Sequence, residues 1–227
     1  MNDAAHREFK DRLFEQFARI GKALASPKRL EILDLLVQGE RTVEEIARET
    51  AMPMANASQH LQTLKGSRIV ESRREGLYAY YRLADEKVFR AWRAVRDLGE
   101  ARLAEVDQVV QTYLNDRDVL EAVDAVGLME RLAEGSVVVL DMRPKEEYRA
   151  GHVRGALSVP VDSLEAALQV LPKDKEIIAY CRGPYCVFSD EAVRVLRAKG
   201  YRASRLTEGF PEWRAAGYPV ESGTQGS

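Results

Sequence analysis

Both cysteines of the 227-residue chain stand in one short stretch, IIAYCRGPYCVFSDEAVRVLRAKG (177–200), five positions apart. A short apolar run, Ile177 to Tyr180, gives way there to a helical pattern. Cys181 is therefore expected at a strand end, ahead of a loop from Arg182 to Val187 and a helix beginning near Ser189. Amide N–H groups of a curled loop and of a helix start form an anion-binding concavity, which would stabilise a thiolate, a persulfide or an oxyanion on Cys181. An ordinary thiol, with a pKa of about 8.5, is only about a tenth thiolate at pH ~7.5, whereas a downward shift of about two units makes it mostly thiolate. Arg182 would push the same way. A lone cysteine at a strand end is also compatible with an inert, small apolar residue. Cys186 has two readings: it could attack a Cys181 persulfide, releasing sulfide and leaving a disulfide, or it could pack under the loop as a small hydrophobe. Two thiols alone are too few for a metal site.

The elements that must hold this corner follow from the change of period around it. SVVVLDMRP (136–144) reads as a buried strand, LEAALQVLP (164–172) as a short helix and EIIAYC (176–181) as a second buried strand. DEAVRVLRAKG (190–200) reads as a helix, RASRLTEG (202–209) as a strand and FPEWRAAG (210–217) as a last helix. Strands alternating with helices imply a parallel sheet under helical layers, whose ligands bind at the carboxyl ends of the strands.

The first half is different in kind. Ser26 with Pro27 opens a helix whose Leu30, Leu33, Leu36 and Val37 recur on one face up to Gly39. Thr42 and Glu45 fit a capping box for a second helix with Val43, Ile46 and Ala47 facing inward. A turn containing Pro53 leads into MANASQHLQTLKGS (54–67), where Ala57, Leu61 and Leu64 form a narrow apolar stripe and leave Asn56, Ser58, Gln59, His60 and Thr63 off the core. Two short helices so connected match a helix-turn-helix whose second helix enters the major groove, where Asn and Gln can bond adenine and Ser several base edges. IVESRREGLYAYYRL (69–83) alternates around Glu75-Gly76 and predicts a β-hairpin wing that carries Arg73 and Arg74 toward phosphates, with Lys65 beside them.

Net charge is −2, which by itself does not favour nucleic acid. Its distribution is more informative. Residues 1–115 carry 19 basic and 18 acidic side chains, the remainder 15 and 18, and five basic residues against two acidic ones fall within 56–82. The longest apolar runs are far short of the ~20 residues of a membrane span, and the charged N-terminus lacks the apolar core of a secretory signal. A cytoplasmic protein without membrane contact is expected.

From ALASPKRLEILDLLVQGERTVEEIA through ASQHLQTLKGSRIVESRREGLYAYYRLAD, residues 10–113 resemble the ArsR-type winged-helix repressors. That resemblance implies a homodimer on a double-stranded, roughly palindromic DNA operator, with a long terminal helix from Lys87 to Tyr113 packing on the first helix and its mate. Members usually sense metals through Cys pairs or Asp/His clusters, and this half has no cysteine and only His6 and His60. VVVLDMRPKEEYRAGHVRGALSVP, AYCRGPYC and LTEGFPEWRAAGYPVE look like a rhodanese domain over 118–221. By that likeness Cys181 is the sulfur-carrying nucleophile, with Arg182, Gly183, Tyr185 and Cys186 in its cradle. Asp141, Arg143, Glu147 and His152 would then fix the strand ends, with a general-base role for His152 kept open. The phosphatases and arsenate reductases of this fold need an Arg six positions after the nucleophile; Val187 stands there, which argues against oxyanion hydrolysis or reduction. Glu208-Gly209 replaces the usual glycine pair before the last helix.

The expected architecture is thus two domains, a mainly α winged helix-turn-helix over 1–115 and an α/β rhodanese-like parallel sheet over 116–222, with a polar linker at 115–118 and a disordered tail from 223 to 227. No cofactor and no metal are called for. The expected function is a DNA-binding regulator, a repressor in kind, whose Cys181 takes up sulfur from small donors such as thiosulfate or a persulfide. Two rivals remain: a sulfurtransferase with an autoregulatory DNA-binding module, and a rhodanese fold used only for binding.

Overall fold

The computed structural model describes residues 3–114 and 120–223. The expected linker at 115–118 and the end of the expected tail, 224–227, lie outside these residues. The chain divides into two compact units, one up to Leu98 and one from Gly99 onward.

The first unit opens with α1 (Asp3–Leu24), followed by α2 (Pro27–Gln38), β1 (Arg41–Thr42), α3 (Val43–Glu49) and α4 (Met54–Gly66), then β2 (Val70–Glu75) and β3 (Tyr78–Leu83). Ser26 is extended ahead of Pro27 but its hydroxyl makes no capping bond. Thr42 makes the expected box: its Oγ1 accepts from Glu45 N–H at 3.2 Å, and Glu45 Oε2 accepts from Thr42 N–H at 2.7 Å. Ile32, Leu33 and Leu36 of α2, Ile46 of α3 and Ala57, Leu61 and Leu64 of α4 close a single core with Ile69, Val70 and Tyr81 of the wing. The wing turns on Gly76-Leu77, because Glu75 pairs with Tyr78. Gly76 has φ +59, the left-handed value at the first position of a two-residue hairpin loop that favours glycine.

Helix α5 (Glu86–Arg102) starts in the first unit and ends in the second, where α6 (Ala104–Tyr113) follows it. The single helix expected from Lys87 to Tyr113 is therefore interrupted: Leu103 is extended, with φ −112 and ψ 101. No proline or capping side chain in the sequence announces this break.

The second unit holds β4 (Ala122–Val123), α7 (Ala125–Ala133), β5 (Val137–Asp141), α8 (Lys145–Ala150), β6 (His152–Val153) and β7 (Leu157–Ser158). A 3₁₀ turn at Val161–Ser163, α9 (Leu164–Ala167), β8 (Glu176–Tyr180), α10 (Val187–Ala198), β9 (Ala203–Leu206), α11 (Phe210–Ala215) and β10 (Val220–Glu221) complete it. The sheet runs β4-β9-β8-β5-β7, every pair parallel. The twofold period of strands then sorts side chains between the two faces. Ile177, Ala179 and Cys181 face one core with Ala192, Val193 and Leu196 of α10, while Ile178 and Tyr180 face the other with Leu128 of α7 and Phe210 and Trp213 of α11. Helix α10 begins at Val187, two residues earlier than expected, with Cys186 as its N-cap residue. Asp124 Oδ1 caps α7 by accepting from Gly127 N–H at 2.8 Å.

Candidate functional site

Cys181 directly follows β8, and the loop from it returns within five residues to the start of α10. The Cys186 N–H donates to Gly183 O at 3.2 Å, closing the turn, and Phe210 N–H donates to Cys181 O at 3.1 Å, tying the strand end to α11. A Cβ at Gly209 would lie 2.5 Å from Arg182 O and from Gly183 Cα, so only glycine lets the start of α11 approach the loop this closely. Glu212 Oε2 accepts from Gly209 N–H at 3.1 Å and fixes that approach.

Cys181 and Cys186 are joined by a disulfide with Cα atoms 6.1 Å apart, well within the reach of such a bridge. Cys186 bonds to Cys181 and also packs, half-buried, against the core of that face, so pairing and packing are both present; the tight turn at Gly183–Cys186 brings the two sulfurs together. Cys181 is 2% exposed and continues the apolar row of Ile177 and Ala179. Its sulfur is here a disulfide atom in the core rather than a charged group in an amide nest. Arg182 departs from expectation too. Its guanidinium turns to Glu147, with Nε 3.0 Å and Nη2 2.5 Å from Oε1, so its charge is matched by a carboxylate instead of being offered to the thiol. Gly183 is half-buried and Tyr185 is exposed, its hydroxyl donating to Glu100 at 2.6 Å.

Behind the loop, on the opposite face of the sheet, lies a buried polar network. Arg143 and Asp141 are fully buried and paired, Nη2 to Oδ2 at 2.6 Å, and Arg143 also donates to Gly151 O at 2.7 Å. Burial opposes the Arg143 charge, but the hydrogen bond and charge of Asp141 outweigh it and hold the guanidinium above its ordinary pKa. Tyr180, which sequence reasoning did not single out, donates to Asp141 and accepts from Val153 N–H at 3.1 Å. Burial, reinforced by the Asp141 charge, pushes its phenol well above the usual value, so it remains a donor. The signal was a tyrosine at the end of an apolar strand, whose hydroxyl has to find a partner once buried. His152 stacks on Tyr148 at 3.6 Å, with Nδ1 2.8 Å from Tyr148 O and Nε2 3.9 Å from Glu221. Glu208 Oε2 is buried without a hydrogen-bond partner, and burial raises the pKa of the carboxyl.

In the first unit, α4 presents Asn56, Gln59, Thr63 and Lys65 exposed, with Ser58 and His60 half-buried. Lys65 donates to Ser72 Oγ at 2.7 Å, joining α4 to the wing. Arg74 is exposed. Arg73 lies over the Tyr80 ring at 4.5 Å and is engaged by Glu40, Nε to Oε2 at 3.0 Å, and by Glu75.

Residues 26–72 match the bacterial regulatory protein family arsR, and residues 124–216 match the rhodanese-like domain. The HTH-type transcriptional regulator Rv0324 of Mycobacterium tuberculosis is 44% identical over 220 residues, 97% of this chain and 96% of its own. The chain belongs to the ArsR family. More narrowly, it is an ArsR-family transcriptional regulator with a C-terminal rhodanese-like domain. A sulfurtransferase of Allochromatium vinosum is 29% identical over 104 residues, covering 45% of this ArsR-family chain and 95% of its own. A solution structure of a homodimeric winged helix-turn-helix domain, fragment 1–100 of Mb0332 of Mycobacterium bovis, is 51% identical over 41% of this chain and 87% of that one, with a TM-score of 0.40.

Proposed function

We propose that this regulator is controlled by sulfane sulfur exchanged at Cys181 and Cys186. The observation that carries the reading is the proximity of the two thiol sulfurs at one strand-to-helix corner, close enough to share a bond. In the dithiol form, the Cys181 thiolate attacks the outer sulfur of thiosulfate; a Cys181 persulfide forms and sulfite leaves with the bonding pair. The Cys186 thiol then loses its proton and attacks Sγ of Cys181, forming the disulfide and expelling the outer sulfur as hydrosulfide. A small dithiol reductant reopens the pair. Cys181, Arg182, Gly183, Tyr185 and Cys186 form the site in this reading. Asp141, Arg143, Glu147 and His152 hold its frame.

The DNA half acts as a homodimer. Phe9, Leu13, Phe17 and Ile20 make an exposed apolar stripe along α1, joined by Phe14, and such a stripe on a charged helix calls for a partner surface. A second copy supplies one, and two recognition helices then read a roughly palindromic operator through Asn56, Ser58, Gln59, His60 and Thr63, with Lys65, Arg73 and Arg74 on phosphates.

Operator binding of the wild type and of Cys181→Ser, with and without polysulfide, tests the reading. Sulfur-dependent change in affinity of about 5- to 150-fold, the range typical of coupled sites, that vanishes in Cys181→Ser is the expected result. Unchanged operator affinity together with brisk thiosulfate turnover would instead mark a sulfurtransferase carrying an autoregulatory DNA-binding module.

A further inference from the structure

Tyr185 belongs to the six-residue ring that the disulfide closes, and its hydroxyl leaves that ring to donate to Glu100 Oε1 at 2.6 Å. Glu100 sits near the C-terminal end of α5, the helix that runs unbroken back to Glu86. On the other side of Cys186, Val187 lines with Tyr185 an apolar groove of about 500 Å³ whose further wall includes Leu103, Val106, Val110 and Leu114. Both residues flanking Cys186 therefore face the segment where α5 gives way to α6. That is also where the helix is interrupted, at extended Leu103. An interrupted helix can bend there without breaking a continuous hydrogen-bond ladder.

We propose that Tyr185 and Glu100, with Val187 against the apolar side of α6, form a relay that reports the state of the Cys181–Cys186 pair to α5. The proposal rests on the sulfur-exchange reading above and adds its route. With the disulfide closed, Tyr185 is held in register with Glu100. Opening the ring by reduction, or adding sulfur to Cys181, releases Cys186 and the start of α10, and a hydrogen bond of 2.6 Å does not survive a displacement of about an ångström. Tyr185 acts here as a positioning residue, and Glu100 receives its signal without touching the sulfur.

The full-length chain tests this with Glu100→Ala, which removes the acceptor from an exposed position, and with Glu100→Gln, which keeps one. The first readout is hydrogen exchange of the amides in 104–113, compared between the disulfide form and the chain reduced with a dithiol. Exchange in the wild type is expected to rise several-fold on reduction, whereas Glu100→Ala exchanges fast in both states and Glu100→Gln behaves nearly as wild type. Equal exchange in the two wild-type states overturns the relay. The second readout is operator affinity before and after polysulfide, with hydrosulfide release measured on the same samples. Glu100→Ala is expected to release hydrosulfide as the wild type does while its affinity changes less than about twofold, and a full wild-type response in that variant overturns the relay while leaving sulfur exchange intact. A wild type that releases no hydrosulfide would sink the sulfur-exchange reading itself, and the exchange data still decide whether the loop and helix communicate.

Discussion

Arg73 has the charge that a DNA-binding wing uses on phosphates, yet Glu40 and Glu75 hold it by hydrogen bonds that raise its pKa. Glu40 in turn is kept below its ordinary carboxylate value, chiefly by the Arg73 hydrogen bond. A carboxylate whose pKa is lowered on folding contributes stability above its ordinary value and loses it as pH falls through the lowered one, so the pair is intact at neutral pH. Operator binding has to draw Arg73 away from Glu40, or proceed without it. Glu40→Gln frees one side of the guanidinium, and the slope of log affinity against log salt is expected to steepen by up to about 0.9, the value for one added phosphate contact. A titration of operator binding over salt concentration checks this; an unchanged slope would mean that Arg73 does not reach the backbone in either protein. At this scale the sequence was informative about which residues matter and silent about their partners. The spacing of Cys181 and Cys186 was visible, but their bond depends on a turn closed by Gly183 O, and the turning of Arg182 to Glu147 joins positions 35 apart.

Elements with a strong period were legible. The apolar runs read as buried strands within 136–144 and 176–181, the capping box at Thr42 and the apolar stripe of α4 all had local causes, and the structure forms strands at 137–141 and 176–180, the box and the stripe there. The short strands β6, β7 and β10 have two residues each, too few for any period, and they exist because of what lies beside them. The break at Leu103 has the same character. Gly209 shows how one position ties two elements together: the usual glycine pair is reduced here to one, and that one touches the backbone of the cysteine loop. Gly209→Ala is therefore expected to push the 182–183 backbone outward, destabilising the second unit by about 1–3 kcal/mol as overpacking does, and to slow thiosulfate turnover at Cys181. Urea unfolding and a turnover assay on the same variant measure the two effects. Wild-type values in both would mean that α11 yields instead of the loop.

One unit carries the helix-turn-helix and wing, and the other carries the cysteine pair and a buried network of Arg143, Asp141 and Tyr180. No described helix is long and apolar enough to cross a membrane. Family membership accounts for DNA binding without reference to sulfur, so the account stands or falls on whether the cysteine pair exchanges sulfur. The most direct measurement is intact-protein mass and hydrosulfide release after the reduced chain meets thiosulfate. Wild type is expected to release about one hydrosulfide per chain and finish as the Cys181–Cys186 disulfide, while Cys186→Ser, lacking the resolving thiol, retains one extra sulfur on Cys181. A Cys186→Ser chain that gains no sulfur, with no hydrosulfide from the wild type, would contradict the account.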